Sequence, residues 1–145
     1  NLVDEGTNAK LTEIHATLGL CNLQSYDQIL LRRREIDSQY RDGLADVFGV
    51  RFQKVKKNET NYSYFPIILD TPKLAERLIK RFKLEGIGAR KYFYPSLSTL
   101  ERFNHTRGAT IVSDEISECI ICLPSYFDLE NLEVEKIIKV IKEEM

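Results

Sequence analysis

The sequence contains no Trp, one Met, two His and three Cys in 145 residues, and each scarcity narrows what the chain can be. Cys21, Cys119 and Cys122 cannot pair off completely, which suits a reducing compartment and predicts a cytoplasmic protein. His15 and His105 are too few for a histidine-built metal site. With only seven Gly and four Pro, collagen-like and low-complexity chains are excluded. No apolar run approaches the roughly 20 residues that cross a bilayer, and the acidic opening Asn1 to Glu5 has neither the basic region nor the apolar stretch of a signal peptide. No membrane partner is therefore expected. Charge of one sign is missing as well: 21 Lys plus Arg face 22 Asp plus Glu, for a net charge of −1. Nucleic-acid binders need a clear basic excess for phosphate contacts, so no nucleic-acid partner is expected either. What remains is 43% apolar, with seven Tyr and seven Phe, enough to pack one domain of ordinary size. One further lack concerns the start: the chain opens on Asn1, and its only Met is Met145.

Periodicity divides the chain into short elements. Leu11, Ile14, Leu18 and Cys21 recur at helical steps and predict an amphipathic helix that fades near Leu23. Ser25 and Gln28 have capping-box spacing for a second helix with Ile29, Ile36, Tyr40 and Leu44 on one stripe, loosened at Gly43 and Gly49. On it the triplet Arg32 to Arg34 reads as a solvated face, with Arg33 and Arg41 each four residues from Asp37. Arg51 to Val55 and Tyr62 to Leu69 predict a hairpin-like strand pair. Thr71 before Pro72 marks a helix start, Leu74, Leu78, Ile79 and Phe82 its buried face, and Gly86 its end. A strand over Ile87 to Phe93, a short helix capped at Ser98, a helical turn over Asp114 to Ser117 and a core strand over Cys119 to Leu123 follow. Asp128 is the expected cap of a last helix carrying Leu132, Ile137, Val140 and Ile141. The fold class is α+β: three or four mainly antiparallel strands with helices on one face, preceded by two helices. Residues 1–49 form the leading helical segment in this reading and 50–145 a small α+β domain.

A self-contained catalytic centre cannot be assembled from these residues. There is no Gly-rich phosphate loop, no G-x-S-x-G and no H-E-x-x-H. Cys119 and Cys122 have C-x-x-C spacing, but in an extended strand residues three apart face opposite sides, so structural thiols are expected and no metal. His15 beside an apolar stripe reads as structural, and His105 has neither carboxylate nor nucleophile near it in sequence. Two segments are chemically dense. In Gly6-Thr7-Asn8-Ala9-Lys10 an amide and an ammonium precede a helix, where backbone N–H groups and the dipole favour a phosphate or carboxylate. In Arg90 to Pro95, alternation puts Arg90, Tyr92 and Tyr94 on one face, either around a sugar or phosphate or simply in water.

The stretch Gly6 to Leu20, GTNAKLTEIHATLGL, resembles the G-x-N-x-[RK]-[ML]-[ST]-E-x-[QH]-A-x-x-G-L segment of the DegT/DnrJ/EryC1/StrS family. Tyr64-Phe65-Pro66, Gly86 to Leu97 and Ile121 to Tyr126 recur as its later landmarks, so the likeness covers essentially the whole chain. The family is one of pyridoxal-phosphate-dependent aminotransferases acting on nucleotide-linked keto sugars. The resemblance implies the small C-terminal domain of a fold-type I aminotransferase, in which the lysine that binds the cofactor as a Schiff base lies in an upstream large domain. No catalytic residue is expected in this chain, Lys10 included, and the chain alone is expected to be inactive; the missing initiator Met fits such a portion. By the same resemblance Asn8 binds the cofactor phosphate of the neighbouring subunit in a homodimer, Lys10 contacts substrate, and Arg90, Tyr92 and Tyr94 line the sugar-nucleotide pocket. Ser96 and Leu97 stand where many members carry His. The implied reaction moves an amino group from glutamate to a dTDP-linked keto-deoxy sugar in deoxysugar and polysaccharide biosynthesis. Two competing readings are a free-standing α+β regulatory domain binding a small ligand through Tyr62 to Phe93, and an RNA-binding sheet using Tyr92, Phe93 and Tyr94.

Overall fold

Thr71 and Pro72 start a helix as their chemistry requires: the Thr71 hydroxyl accepts from Leu74 N–H at 3.2 Å, and proline occupies a first-turn position that needs no N–H. In the computed structural model, which describes residues 10–55, 60–101, 103 and 108–145, the elements in order are α1 (Glu13–Gln24), α2 (Tyr26–Leu44), β1 (Val50–Phe52), β2 (Phe65–Leu69), α3 (Pro72–Leu84), a 3-10 turn (Leu97–Thr99), α4 (Ile111–Cys119), β3 (Ile120–Leu123) and α5 (Asn131–Glu144). Loss of the Thr71 cap in Thr71→Ala is expected to cost about 1 kcal/mol, measured as a lowered urea midpoint by circular dichroism. At the other end of α3, Gly86 takes φ +72°, which lets its N–H reach Lys83 O at 3.3 Å and the Ile87 N–H reach Phe82 O at 2.8 Å. This double bond satisfies the last carbonyls, and only glycine adopts the left-handed conformation without strain.

The three strands form one antiparallel sheet in the order β1-β2-β3, with Val50 opposite Leu69 and Phe65 opposite Leu123. Alternation along β2 buries Phe65, Ile67 and Leu69 on one face, joined there by Ile121 and Leu123 of β3. Against that face pack Ile36, Tyr40 and Leu44 of α2, Ala75, Leu78 and Phe82 of α3, and Val134, Ile137, Val140 and Ile141 of α5. The expected layer of helices on one face of a short antiparallel sheet is thus present, and α2 shares the core of the residues that follow it.

Several expectations need correction. Ile87 to Phe93 is not a strand: Arg90 alone bridges to β3, exchanging backbone hydrogen bonds with Cys122 at 3.2 and 2.7 Å. Its alternation comes from Ile87 and Ala89 packing on the core, without a ladder. The β1–β2 pair is shorter than expected at the ends facing the turn, β1 stopping at Phe52 and β2 starting at Phe65. Cys119 closes α4 instead of opening β3, and α4 runs longer than the single turn expected. Glu130, not Asp128, caps α5; its N–H donates to Glu133 Oε2 at 2.9 Å, because Leu129 turns into the core and holds back the helix start. Leu132 then faces outward, 73% exposed, opposite the stripe that Val134 and Ile137 define. The Arg triplet is also not merely solvated. Arg32 donates to Leu129 O, to Asn131 Oδ1 at 2.9 Å and to Glu35 at 3.1 Å, tying α2 to the start of α5. Arg41 pairs with Asp37 at 2.8 Å as expected and lies 5.5 Å from the ring centroids of both Phe52 and Phe65, whereas Arg33 leaves its Nε buried without a partner among the described residues.

Helix α1 departs furthest from its expected role. None of its residues is buried, and the stripe expected to face a core is open: Leu11 and Ile14 are 75% and 74% exposed, with Leu18, Leu20 and Leu23 close behind. It contacts α2 and carries apolar side chains on more than one side.

Candidate functional site

The chemistry-bearing residues gather where the chain leaves its bridge with β3. Arg90 is pinned by its backbone to Cys122, and its guanidinium donates to Tyr92 Oη at 2.9 Å, lying 5.8 Å from that ring's centroid. Among the described residues no carboxylate pairs with it, so a planar cation is presented on an aromatic support with its other donors open to an oxyanion. Tyr92 is itself braced by Tyr64 at 5.5 Å, edge to face, and by Phe93 at 5.0 Å. The backbone turns at Tyr92 and Phe93, so the strand alternation expected of Arg90, Tyr92 and Tyr94 stops there. Arg90 and Tyr92 do come together; the ring of Tyr94 is instead engaged by Lys91, whose ammonium stands 4.1 Å from its centroid.

A cavity of about 810 Å3 opens beside Tyr92 and Phe93, walled by Ser96, Ser98, Ile116 and Ile120. That volume falls within the range of small-ligand sites, and a mainly apolar wall carrying a few hydroxyls suits an uncharged ligand part with one apolar face. The hydroxyls are organised: Ser98 donates to Asp114 Oδ1, Ser96 and Ser98 are 3.0 Å apart, and Thr99 donates to Ser96 O at 2.7 Å.

Lys10 is exposed and precedes Thr12, whose hydroxyl caps α1 by accepting from His15 N–H at 3.3 Å and also contacts His15 Nδ1 at 2.7 Å. No hydrogen bond, ion pair or ring contact among the described residues links Lys10 to the Arg90 group. Asn8 and His105 lie outside the described residues. The Cys119 and Cys122 thiols are unpaired, and burial pushes both up from the ordinary thiol range, which disfavours the reactive thiolate. Among the described residues no group of three or more His, Cys, Asp or Glu could hold a metal, and no helix is long and apolar enough to cross a membrane.

The sequence gives no site role to Tyr64, Lys91, Ser98, Asp114 or Glu118, although Ser98 and Asp114 are readable as helix starts. The usable signal is spacing: Asp114 and Glu118 stand four apart, and they share a face because α4 continues past the turn expected over Asp114 to Ser117.

A three-stranded antiparallel sheet and one layer of helices define an α+β unit that sets the Arg90–Tyr92 pair beside a cavity. The particular kind follows from comparison: residues 2–142 match the model of the DegT/DnrJ/EryC1/StrS aminotransferase family, and the chain belongs to that family. It is 32% identical over 143 residues to the dTDP-4-amino-4,6-dideoxy-D-glucose transaminase of Escherichia coli, a match spanning 94% of this chain and 38% of that protein. To the GDP-perosamine synthase of Vibrio cholerae it is 32% identical over 142 residues, spanning 93% of this chain and 38% of the relative. The aminotransferase TlmJ of Streptoalloteichus hindustanus has the same fold over 99% of this chain and 39% of its own, with a TM-score of 0.85 at 21% identity. The chain therefore spans about two fifths of the length of the proteins it matches.

Proposed function

We propose that the chain is the C-terminal part of a pyridoxal-phosphate-dependent aminotransferase that moves an amino group from glutamate to a nucleotide-linked keto-deoxy sugar. The observation that carries this reading is Arg90: a guanidinium without a carboxylate partner among the described residues, held on Tyr92, whose ring lines a cavity large enough for a sugar. A sugar diphosphate offers both things such a place selects, an oxyanion for the guanidinium and an uncharged ring for the cavity. Relatives acting on dTDP- and GDP-linked sugars support the nucleotide-sugar class, and the E. coli relative favours a dTDP sugar.

Amino transfer needs an electron sink that no side chain provides; pyridoxal phosphate supplies it when bound. The residues of this chain suit one end of that cofactor. Lys10 is an exposed ammonium with no ion pair among the described residues, two residues after the Asn8 amide and just ahead of a helix, a donor set matched to a phosphate dianion. Asn8 and Lys10 would hold the phosphate and the nearby substrate from a neighbouring subunit of a homodimer. The lysine that carries the cofactor would come from the part of the relatives' length this chain does not span. Here Arg90 orients the diphosphate, Tyr92 holds Arg90, and the cavity wall excludes water from the sugar.

The test is to express the full-length protein containing this chain and to supply glutamate with a dTDP-linked 4-keto-6-deoxyhexose, following 2-oxoglutarate. Release of 2-oxoglutarate dependent on the sugar nucleotide is expected from the full-length protein and none from the chain alone. Failure with both dTDP- and GDP-linked keto sugars would count against the reading.

A further inference from the structure

Helix α4 carries Asp114 and Glu118 one turn apart, so both carboxylates leave the helix on one side. Each reaches the segment that bears the candidate site, at a different point. Asp114 accepts a hydrogen bond from Ser98, which lies 3.0 Å from Ser96, and both serines are buried. The Thr110 hydroxyl stands 3.4 Å from each Asp114 oxygen, so the carboxylate also fastens the stretch that leads into α4. Glu118 Oε2 is 4.0 Å from Lys91 Nζ, and that ammonium sits over the Tyr94 ring with its side chain only 16% exposed. Between these two attachments run Tyr92 and Phe93, the wall of the cavity and the support of Arg90.

We infer that α4 is a two-point clamp on the substrate segment: Asp114 acting through Ser98, and Glu118 acting through Lys91, hold residues 91–98 in the conformation that aims Arg90 and Tyr92. Both are positioning residues, and neither touches substrate. The segment has no strand ladder of its own among the described residues: Arg90 bridges β3 once and Tyr64 braces Tyr92 from the side, which leaves the two α4 carboxylates to tie it at Lys91 and Ser98. Pre-ordering it removes a cost that binding would otherwise bear. The inference rests on the reading of Arg90 and Tyr92 as the substrate side of an aminotransferase, and it extends that reading to residues with a different task.

The experiment compares the full-length protein with Asp114→Ala, Asp114→Asn and Glu118→Gln by hydrogen–deuterium exchange and by kinetics of the two half-reactions. Asp114→Ala is expected to speed exchange in peptides covering 90–99 roughly tenfold, with β2 peptides unchanged, and to raise the KM for the sugar nucleotide roughly fivefold with the amino-donor half-reaction unaffected. Glu118→Gln should loosen the Lys91 end, and Asp114→Asn should restore most of the Ser98 end, because an amide oxygen still accepts from the serine. Unchanged exchange over 90–99 overturns the clamp. So does loosening that spreads through the core, which marks general destabilisation, or a loosened segment with the sugar KM intact. If the wild-type protein turns over no nucleotide sugar, the aminotransferase reading fails, while the exchange data still decide whether α4 holds this segment.

Discussion

Arg90→Met in the full-length protein is expected to lower kcat/KM for the nucleotide sugar by roughly 10- to 100-fold. A charge-assisted hydrogen bond to an anion is worth about 1.5–3 kcal/mol, and each 1.4 kcal/mol is tenfold. Met retains the stem volume and the backbone bridge to Cys122 but removes every donor. Arg90→Lys should recover only part of the loss, since an ammonium cannot make two parallel bonds to a phosphate and would leave Tyr92 Oη without its guanidinium. Under the proposed function Arg90 serves the sugar's diphosphate alone, so the amino-donor half-reaction should stay within about twofold of wild type. Steady-state kinetics with each substrate varied in turn separate the two. Equal losses in both half-reactions would reassign Arg90 to the shared chemistry or to structure.

The largest loss of stability is expected at Tyr40. Its ring is fully buried in the core, 4.9 Å from the Phe65 ring, and its hydroxyl donates to Pro124 O at 3.0 Å. Tyr40→Ala leaves a cavity and strands that carbonyl, for an expected cost of about 3–5 kcal/mol; Tyr40→Phe keeps the packing and costs about 1 kcal/mol. Chemical denaturation at neutral pH distinguishes the two. Alkaline pH gives a second signature. Burial pushes the Tyr40 phenol well above its ordinary value near 10, with Tyr126 and Glu133 adding to the rise. Unfolding above that ordinary value releases a proton that the folded state retains. Stability from this group is therefore fully present below about pH 10 and falls by up to about 1.4 kcal/mol per pH unit above it. The difference between wild type and Tyr40→Phe isolates the slope, and identical alkaline profiles would refute the assignment.

What the sequence disclosed follows from how local each determinant is. The Thr71-Pro72 start and the Gly86 stop of α3 are decided within a few residues, and both were readable. The buried stripe of α2 was equally plain, since Ile36, Tyr40 and Leu44 repeat at helical steps. Ile87 to Phe93 misled because burial and pairing leave the same alternating trace; Ile87 and Ala89 alternate against the core although only Arg90 finds a partner on β3. The start of α5 depended on where Leu129 would turn, a tertiary matter that Asp128 and Glu130 could not decide between them. At the site, Arg90 and Tyr92 stood out as a dense cation and aromatic pair, and they do meet. Lys91 was hidden beside them because a strand would have sent it to the opposite face. Ser98 and Asp114 were hidden because their bond joins residues 16 apart across the 3-10 turn and the start of α4.

Helix α1 differs from the Arg90 site in the physics that would govern a contact made there. Its exposed leucines and isoleucine share the helix with a single carboxylate, Glu13, and the whole chain has a net charge of only −1. Near-neutral protein offers little long-range repulsion or steering. A contact made on α1 would be held by desolvation of apolar surface, little screened by salt and weakened by cold, whereas an anion meeting Arg90 would be loosened by salt.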